Sequence, residues 1–161
     1  MRLADITIRG TLAVPTEGEL DDAERALGTR MPLGYREFML TCGEGVLGGA
    51  YIRVYPPWRI RRELTAWRRR ITEYWLWDGL PQQRGVESVV VGDTLDGDEL
   101  IFHPSDPDAI WVLPHDSDQA SQIGAGIWEA LEWLCSSGVL TEAFAERDFE
   151  PSDSRKSEGA A

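Results

Sequence analysis

Three glycines, two histidines and a short run of aspartates are the residues of this chain whose spacing could carry chemistry. Gly43, Gly45 and Gly48 fit GxGxxG, and Glu63 lies twenty residues beyond the first of them. That pattern lets a backbone approach a dinucleotide pyrophosphate while an acid takes the ribose. His103 and the pair His115-Asp116 invite a metal ion or a general base. Asp93, Asp96 and Asp98 surround a glycine, as ligands of a calcium loop would. Seven arginines between positions 53 and 70 could grip phosphate.

The elements that must position these residues decide which chemistry survives. A phosphate-binding glycine loop follows a strand and opens a helix, because the helix N-terminus supplies free N–H groups and a positive dipole end. Here Tyr35, Phe38, Met39 and Cys42 recur at helical spacing before the glycines, and Pro32 suits a first helical turn. Ala50–Tyr55 follows them, rich in β-branched and aromatic residues and closed by Pro56-Pro57, so it reads as a strand. The order is helix, loop, strand, and a helix C-terminus faces the glycines. A kinase-type loop fails too, since Lys156 is the sole lysine. No cofactor is expected.

The calcium reading fails on spacing. Counted from Asp93, the third position is Leu95, the glycine falls at the fifth, and the twelfth is Pro104. Asp96-Gly97 supplies instead the left-handed backbone of a tight hairpin. The histidines end successive predicted strands, match no HExxH module, and have no GxSxG serine to serve. Cys42 and Cys135 fall on apolar helical stripes and read as buried free thiols of a reducing cytoplasm. No catalytic residue and no metal site are expected.

The layout is one α+β domain over residues 1–147, followed by a tail, 148–161, too poor in apolar residues to pack and expected to be disordered. Thr16-x-x-Glu19 is a capping box for a first helix carrying Leu20, Ala23 and Leu27 and closed by Gly28. A second helix follows Met31-Pro32. After the strand at 50–55, Pro56-Pro57 launches a long helix with Ile60, Leu64, Trp67, Ile71 and Tyr74 or Trp75 inward and arginines outward. Strands at 86–91, 99–103 and 109–113, separated by turn compositions, form an antiparallel meander. A closing helix starts near Ser121 with Ile123, Ile127, Leu131 and Leu134 at its spacing, and Gly138 caps it. A helical turn at about 141–147 follows.

At 161 residues, with 42% hydrophobic and 27% charged residues, the composition is that of a globular protein. No apolar run is long enough to span a bilayer, and the opening MRLADITIRG lacks a signal-peptide core, so a cytoplasmic location is expected. The net charge of −12 is unevenly spread. The arginine-rich middle is followed, from Val86 onward, by 17 acids against Arg147, Arg155 and Lys156. Such acidity either keeps the protein dissolved or attracts basic partners. It disfavours nucleic acid, and most of the tryptophans beside the arginines lie at core spacing.

LDDAERALGTRMPLGYREFMLTCGEG resembles the opening of the SUKH superfamily, with Glu24, Leu27, Gly28, Pro32, Tyr35 and Phe38 at its motif positions. YIRVYPPWRI, GDTLDGDELIFHP and AIWVLPHD are similar to its later strands, so the likeness covers about residues 17–138. A Cys42-Gly43-Glu44-Gly45 turn replaces the usual Asn-Gly-Gly, and Met31 stands where leucine is common. The resemblance implies a non-catalytic binder, chiefly an immunity protein that neutralises a bacterial toxin, often a nuclease, of a polymorphic or contact-dependent system. The alternative is a regulatory interaction module of the same fold; a small hydrolase using His103 or His115 comes third. Separately from the resemblance, electrostatics nominates Asp93, Asp96, Asp98, Glu99, Asp106, Asp108, Asp116 and Asp118 as contacts to a cationic toxin. The concave face of the sheet is the other location for that contact. The oligomeric state is not readable.

Overall fold

The computed structural model of the protein describes residues 1–158. A 3-10 turn (Leu3–Asp5) and a short strand β1 (Thr7–Ile8) precede helix α1 (Glu17–Leu27). The capping box forms as its residues dictate: Thr16 Oγ1 accepts the Glu19 N–H and Glu19 Oε1 accepts the Thr16 N–H. Gly28 ends the helix at φ 69°. Helix α2 (Tyr35–Thr41) begins only after Gly34 and buries Tyr35, Phe38 and Met39, with Cys42 at its cap. Strands β2 (Gly45–Leu47) and β3 (Ile52–Val54) lead into helix α3 (Pro57–Glu73), which buries Ile60, Leu64, Trp67 and Ile71. Then come α4 (Gln82–Glu87), β4 (Val89–Thr94), β5 (Glu99–His103), β6 (Asp106–Leu113), β7 (Ser121–Ala125), α5 (Ile127–Ser136), β8 (Asp148–Pro151) and α6 (Ser154–Glu158).

The eight strands form one sheet in the order β1-β8-β2-β3-β4-β5-β6-β7. From β2 to β7 every neighbour is antiparallel, which is the expected meander extended at both ends. Helix α3 packs on α1 and β4, and α5 on β6 and β7. All six residues of β4 are buried, so both faces of this central strand are covered. The fold is α+β, as the pattern implied.

Four expectations need correction. The closing helix does not start near Ser121: residues 121–125 are strand β7, paired with β6, and Ile123 belongs to it. Ile123 and Ile127 fit either period, but Gly124 and Gly126 argue against a helix through this segment. A side chain at Gly124 would strike the α5 backbone, and Gly126 turns the chain at φ 95°. The strand expected at 86–91 is split, because Pro81 starts a helical turn and the strand begins at Val89. Residues 142–147 carry no helix; instead Phe144 stands edge-on to Tyr51.

The fourth correction concerns the tail. Residues 148–151 are not disordered but form β8, parallel to β1 and antiparallel to β2, with Phe149 opposite Leu47. Phe149 is 1% exposed and packs edge-on against Phe38 at 5.9 Å. One aromatic ring supplies the burial that the composition of DFEP did not suggest. Downstream, Ser152 N–H donates to the Glu44 carbonyl and Ser154 N–H to Glu44 Oε1. Residues 159–161 of that expected tail lie outside the described residues.

Candidate functional site

The glycine segment is filled by the protein itself. A methyl group on Gly43 would run into the Ala13 carbonyl, and one on Gly45 into the Glu150 carbonyl and the Phe149 ring. Gly48 lies under Phe144. Gly43 and Gly48 also sit at φ 70° and 74°, where a side chain is strained. The absence of Cβ atoms is therefore used to let neighbouring chain segments cross, and these glycines frame no phosphate cradle.

The eight nominated acids divide by their surroundings. Asp93 is buried and accepts two hydrogen bonds from Arg53, at 2.7 and 2.6 Å, and one from the Tyr55 hydroxyl at 2.8 Å. The bonds from Arg53 raise its guanidinium pKa, and burial together with Asp93 raises that of the Tyr55 phenol. Asp98 is 0% exposed; it accepts from Thr94 Oγ1 at 2.6 Å, from the His115 N–H at 2.9 Å and from His115 Nδ1 at 2.7 Å. That bond to Asp98, with Asp116 and Asp96 nearby, raises the His115 pKa above its ordinary value. Glu99 accepts from Trp67 Nε1 and Arg70. Asp108 is held by both arms of Arg30 and by the Leu33 N–H, which pull its carboxyl down to about 2. All four are engaged by the protein's own donors, with Asp93 and Asp98 buried and Glu99 and Asp108 partly exposed.

Asp96, Asp106, Asp116 and Asp118 are exposed. The meander puts Asp96, in the β4–β5 turn, at the same end of the sheet as Asp116 and Asp118, in the β6–β7 connection, because Glu99 pairs with Leu113. Asp106 pairs with His103 at the far end of that hairpin. The near end is braced from a third side. Trp77 Nε1 donates to the Pro114 carbonyl, Asp78 N–H to that of Asp118, and Ala120 N–H to that of Asp78. This bracing leaves Tyr74 65% and Leu76 73% exposed. A cleft of about 370 Å³ runs here between Tyr74, Leu76, Trp77, Gly97, His115 and Ser117.

Tyr74 and Leu76 were not nominated from the sequence, where Tyr74 reads as a continuation of the α3 apolar stripe. The helix ends at Glu73, and in the extended segment Tyr74-Trp75-Leu76-Trp77 the two tryptophans turn inward. The sequence marks a helix end only at Asp78-Gly79 and Pro81, whereas the helix stops at Glu73.

His103 and His115 are not brought together. His103 lies between Glu87, at 2.9 Å from Nε2, and Ser105, at 2.8 Å from Nδ1, at one end of β5. His115 lies beyond the other end, a separation on the order of 13 Å along a five-residue strand. Asp98, His115 and Asp116 place ligand atoms within 4.8 Å of one another. The Asp98 carboxylate already accepts three hydrogen bonds, so His115 Nε2 and Asp116 are what this group offers an ion. Burial pushes both thiols, Cys42 and Cys135, up to about 11, away from thiolate chemistry. No helix among the described residues is long and apolar enough to cross a membrane.

Residues 15–133 match the model of the SMI1 / KNR4 family (SUKH-1), which spans α1 through most of α5. A search of curated proteins found no match. With most of its length matched and the helix pair, meander and closing helix in place, this chain belongs to the SMI1 / KNR4 family (SUKH-1).

Proposed function

We propose that this protein is an immunity protein, which binds a cognate toxin of a polymorphic or contact-dependent bacterial system and blocks it stoichiometrically. The toxin domain is cationic, a nuclease being the favoured chemistry, and the encounter takes place in the cytoplasm. One observation carries this reading: at one end of the sheet Asp116 and Asp118 line a cleft with the exposed Leu76, which also lines an adjoining cleft with the exposed Tyr74 and with Gly97, the neighbour of Asp96 in the β4–β5 turn. Acids on a rim steer a basic partner into place, while an aromatic and an aliphatic side chain at the centre supply desolvated contact. Family membership supports it, since the family consists generally of non-catalytic immunity and regulatory proteins. Asp93, Asp98 and Glu99 serve this surface by fixing the strands and the His115 backbone behind it. Asp106 lies outside its footprint.

The test starts from the neighbouring gene: a large secreted protein with a toxic C-terminal domain is expected immediately upstream, and that domain is co-expressed with this protein. Survival of the cells and a stoichiometric complex on a sizing column are expected. Neutralising Asp96, Asp116 and Asp118 to asparagine should slow association by about tenfold at low ionic strength and leave the fold intact. Continued killing with no complex would sink the immunity reading. An affinity indifferent to salt would remove the acidic surface from it.

A further inference from the structure

The segment after β8 is held to the molecule without an apolar side chain. Residues 152–156 read Ser-Asp-Ser-Arg-Lys. Ser152 N–H donates to the Glu44 carbonyl, and Ser154 N–H to Glu44 Oε1 at 2.7 Å. Arg155 then lays its guanidinium on the Trp58 ring, 3.7 Å from the centroid, a cation–π contact. Trp58 lies in the first turn of α3, Glu19 in that of α1, and Glu44 leads into β2, so three elements meet around this one side chain. The fit is incomplete. Arg155 commits Nε and Nη2 to Asp153 of its own segment, at 3.0 and 3.2 Å. Only Nη1 faces Glu19 Oε2, at 3.8 Å, beyond hydrogen-bond range. Glu44 is 5% exposed, and after Asp153 it joins Glu19 in raising the pKa of this guanidinium. Trp58 Nε1 is buried and meets no acceptor among the described residues, so the indole serves the contact through its ring face.

We propose that Trp58, with Glu19 and Glu44 beside it, is a seat for an arginine from a basic segment of a partner protein, and that residues 152–156 are a strap whose Arg155 occupies the seat until displaced. The resident side chain identifies the chemistry of the occupant. A guanidinium both stacks on an indole and forks to a carboxylate, which an ammonium does less well. A partner's arginine, free of an Asp153 of its own, can turn its whole fork to Glu19. Lifting the strap also opens a cavity of about 280 Å³ between Gly45, Pro56, Ser152 and Ser154, which gives room to the incoming backbone. Arg53 and Arg59 in its wall are paired with Asp93 and Glu63, so they do not reverse the sign of the seat. The strap comes away without disturbing Phe149, which lies before it in the core. Trp58, Glu19 and Glu44 are all distinct from the residues at the acidic end of the sheet, and the seat does not rest on the toxin reading.

The experiment titrates the full chain with a blocked peptide carrying one arginine among glycines, beside lysine and citrulline counterparts. It follows the Trp58 indole N–H resonance, assigned with Trp58→Phe. The arginine peptide should move that resonance, the lysine peptide less, and the uncharged citrulline peptide not at all. Arg155→Ala removes the resident competitor, so the arginine peptide should bind on the order of tenfold tighter, because apparent affinity scales with the open fraction. The melting temperature should hold. Glu19→Gln in the Arg155→Ala background should reverse most of the gain, while glutamine still completes the α1 capping box. An affinity unchanged or weakened by Arg155→Ala, citrulline binding as well as arginine, or shifts confined to the surroundings of Asp116 and Asp118 would each overturn the proposal. So would a wild-type dimer that Arg155→Ala dissolves, since the seat would then belong to a second copy.

Discussion

Replacing Phe149 with alanine probes the least expected element of this fold. The ring is 1% exposed, stands edge-on to Phe38, and lies against the backbone of Gly45. Truncation removes on the order of 100 Å² of buried apolar surface, about 2.5 kcal/mol at about 25 cal/mol/Å². The surrounding β2, α2 and Gly45 are fixed by their own hydrogen bonds and cannot collapse fully, so the remaining cavity adds about 1–2 kcal/mol. The sum, about 4 kcal/mol, is a large part of the stability of a domain that folds by about 5–15 kcal/mol. Urea unfolding followed by tryptophan fluorescence should show the loss, with a fall in melting temperature on the order of 10 °C. Glu150, the neighbour on the same strand, is exposed, and its change to alanine should stay within about 0.5 kcal/mol. A Phe149→Ala cost below about 1 kcal/mol, or one equal to that of Glu150→Ala, would mean that β8 is not part of the folded unit.

Two further predictions rest on the protonation of single groups. His115 holds its proton more tightly in the folded state than in the unfolded one, so its contribution to stability is complete below about pH 6.5 and fades as pH rises through the raised folded value. The stability difference between the wild type and His115→Gln, from urea midpoints across that window, should therefore shrink with rising pH, and a flat difference would refute the Asp98–His115 coupling. Cys42 and Cys135, buried with thiols pushed up to about 11, should resist an aromatic disulfide reagent in the native protein and react together only in denaturant; prompt native labelling of either would contradict its burial.

The helices and the meander were legible because their residues repeat a period. Tyr35, Phe38, Met39 and Cys42 mark one face at 3.6 residues per turn, and Ile60, Leu64, Trp67 and Ile71 mark another. The capping box at Thr16 and the turn at Asp96-Gly97 are local chemistry and form where the sequence places them. β7 and β8 were not legible for the complementary reason. Five residues with one isoleucine, or four with one phenylalanine, are too short to show a period. Each becomes a strand because a neighbour, β6 for one and β2 for the other, presents an unpaired backbone edge that must be satisfied.

The candidate site divides in the same way. Sequence alone determined the acidity of the second half, the basic middle, the lack of a workable glycine cradle and the family. Charge is additive along a chain, and helix order is a one-dimensional property. Only tertiary structure decided which charges remain for a partner. Asp93, Asp98, Glu99 and Asp108 find Arg53, His115, Arg70 and Arg30 at separations of 17 to 78 residues, and are engaged within the protein. Asp96 and Asp118 stay exposed, as does Asp116, which has only the adjacent His115 at 3.9 Å, and the end of α3 at Glu73 leaves Tyr74 and Leu76 exposed at that end of the sheet. Pairing is a matter of distance in space, and a linear sequence holds no record of that distance until the chain has folded.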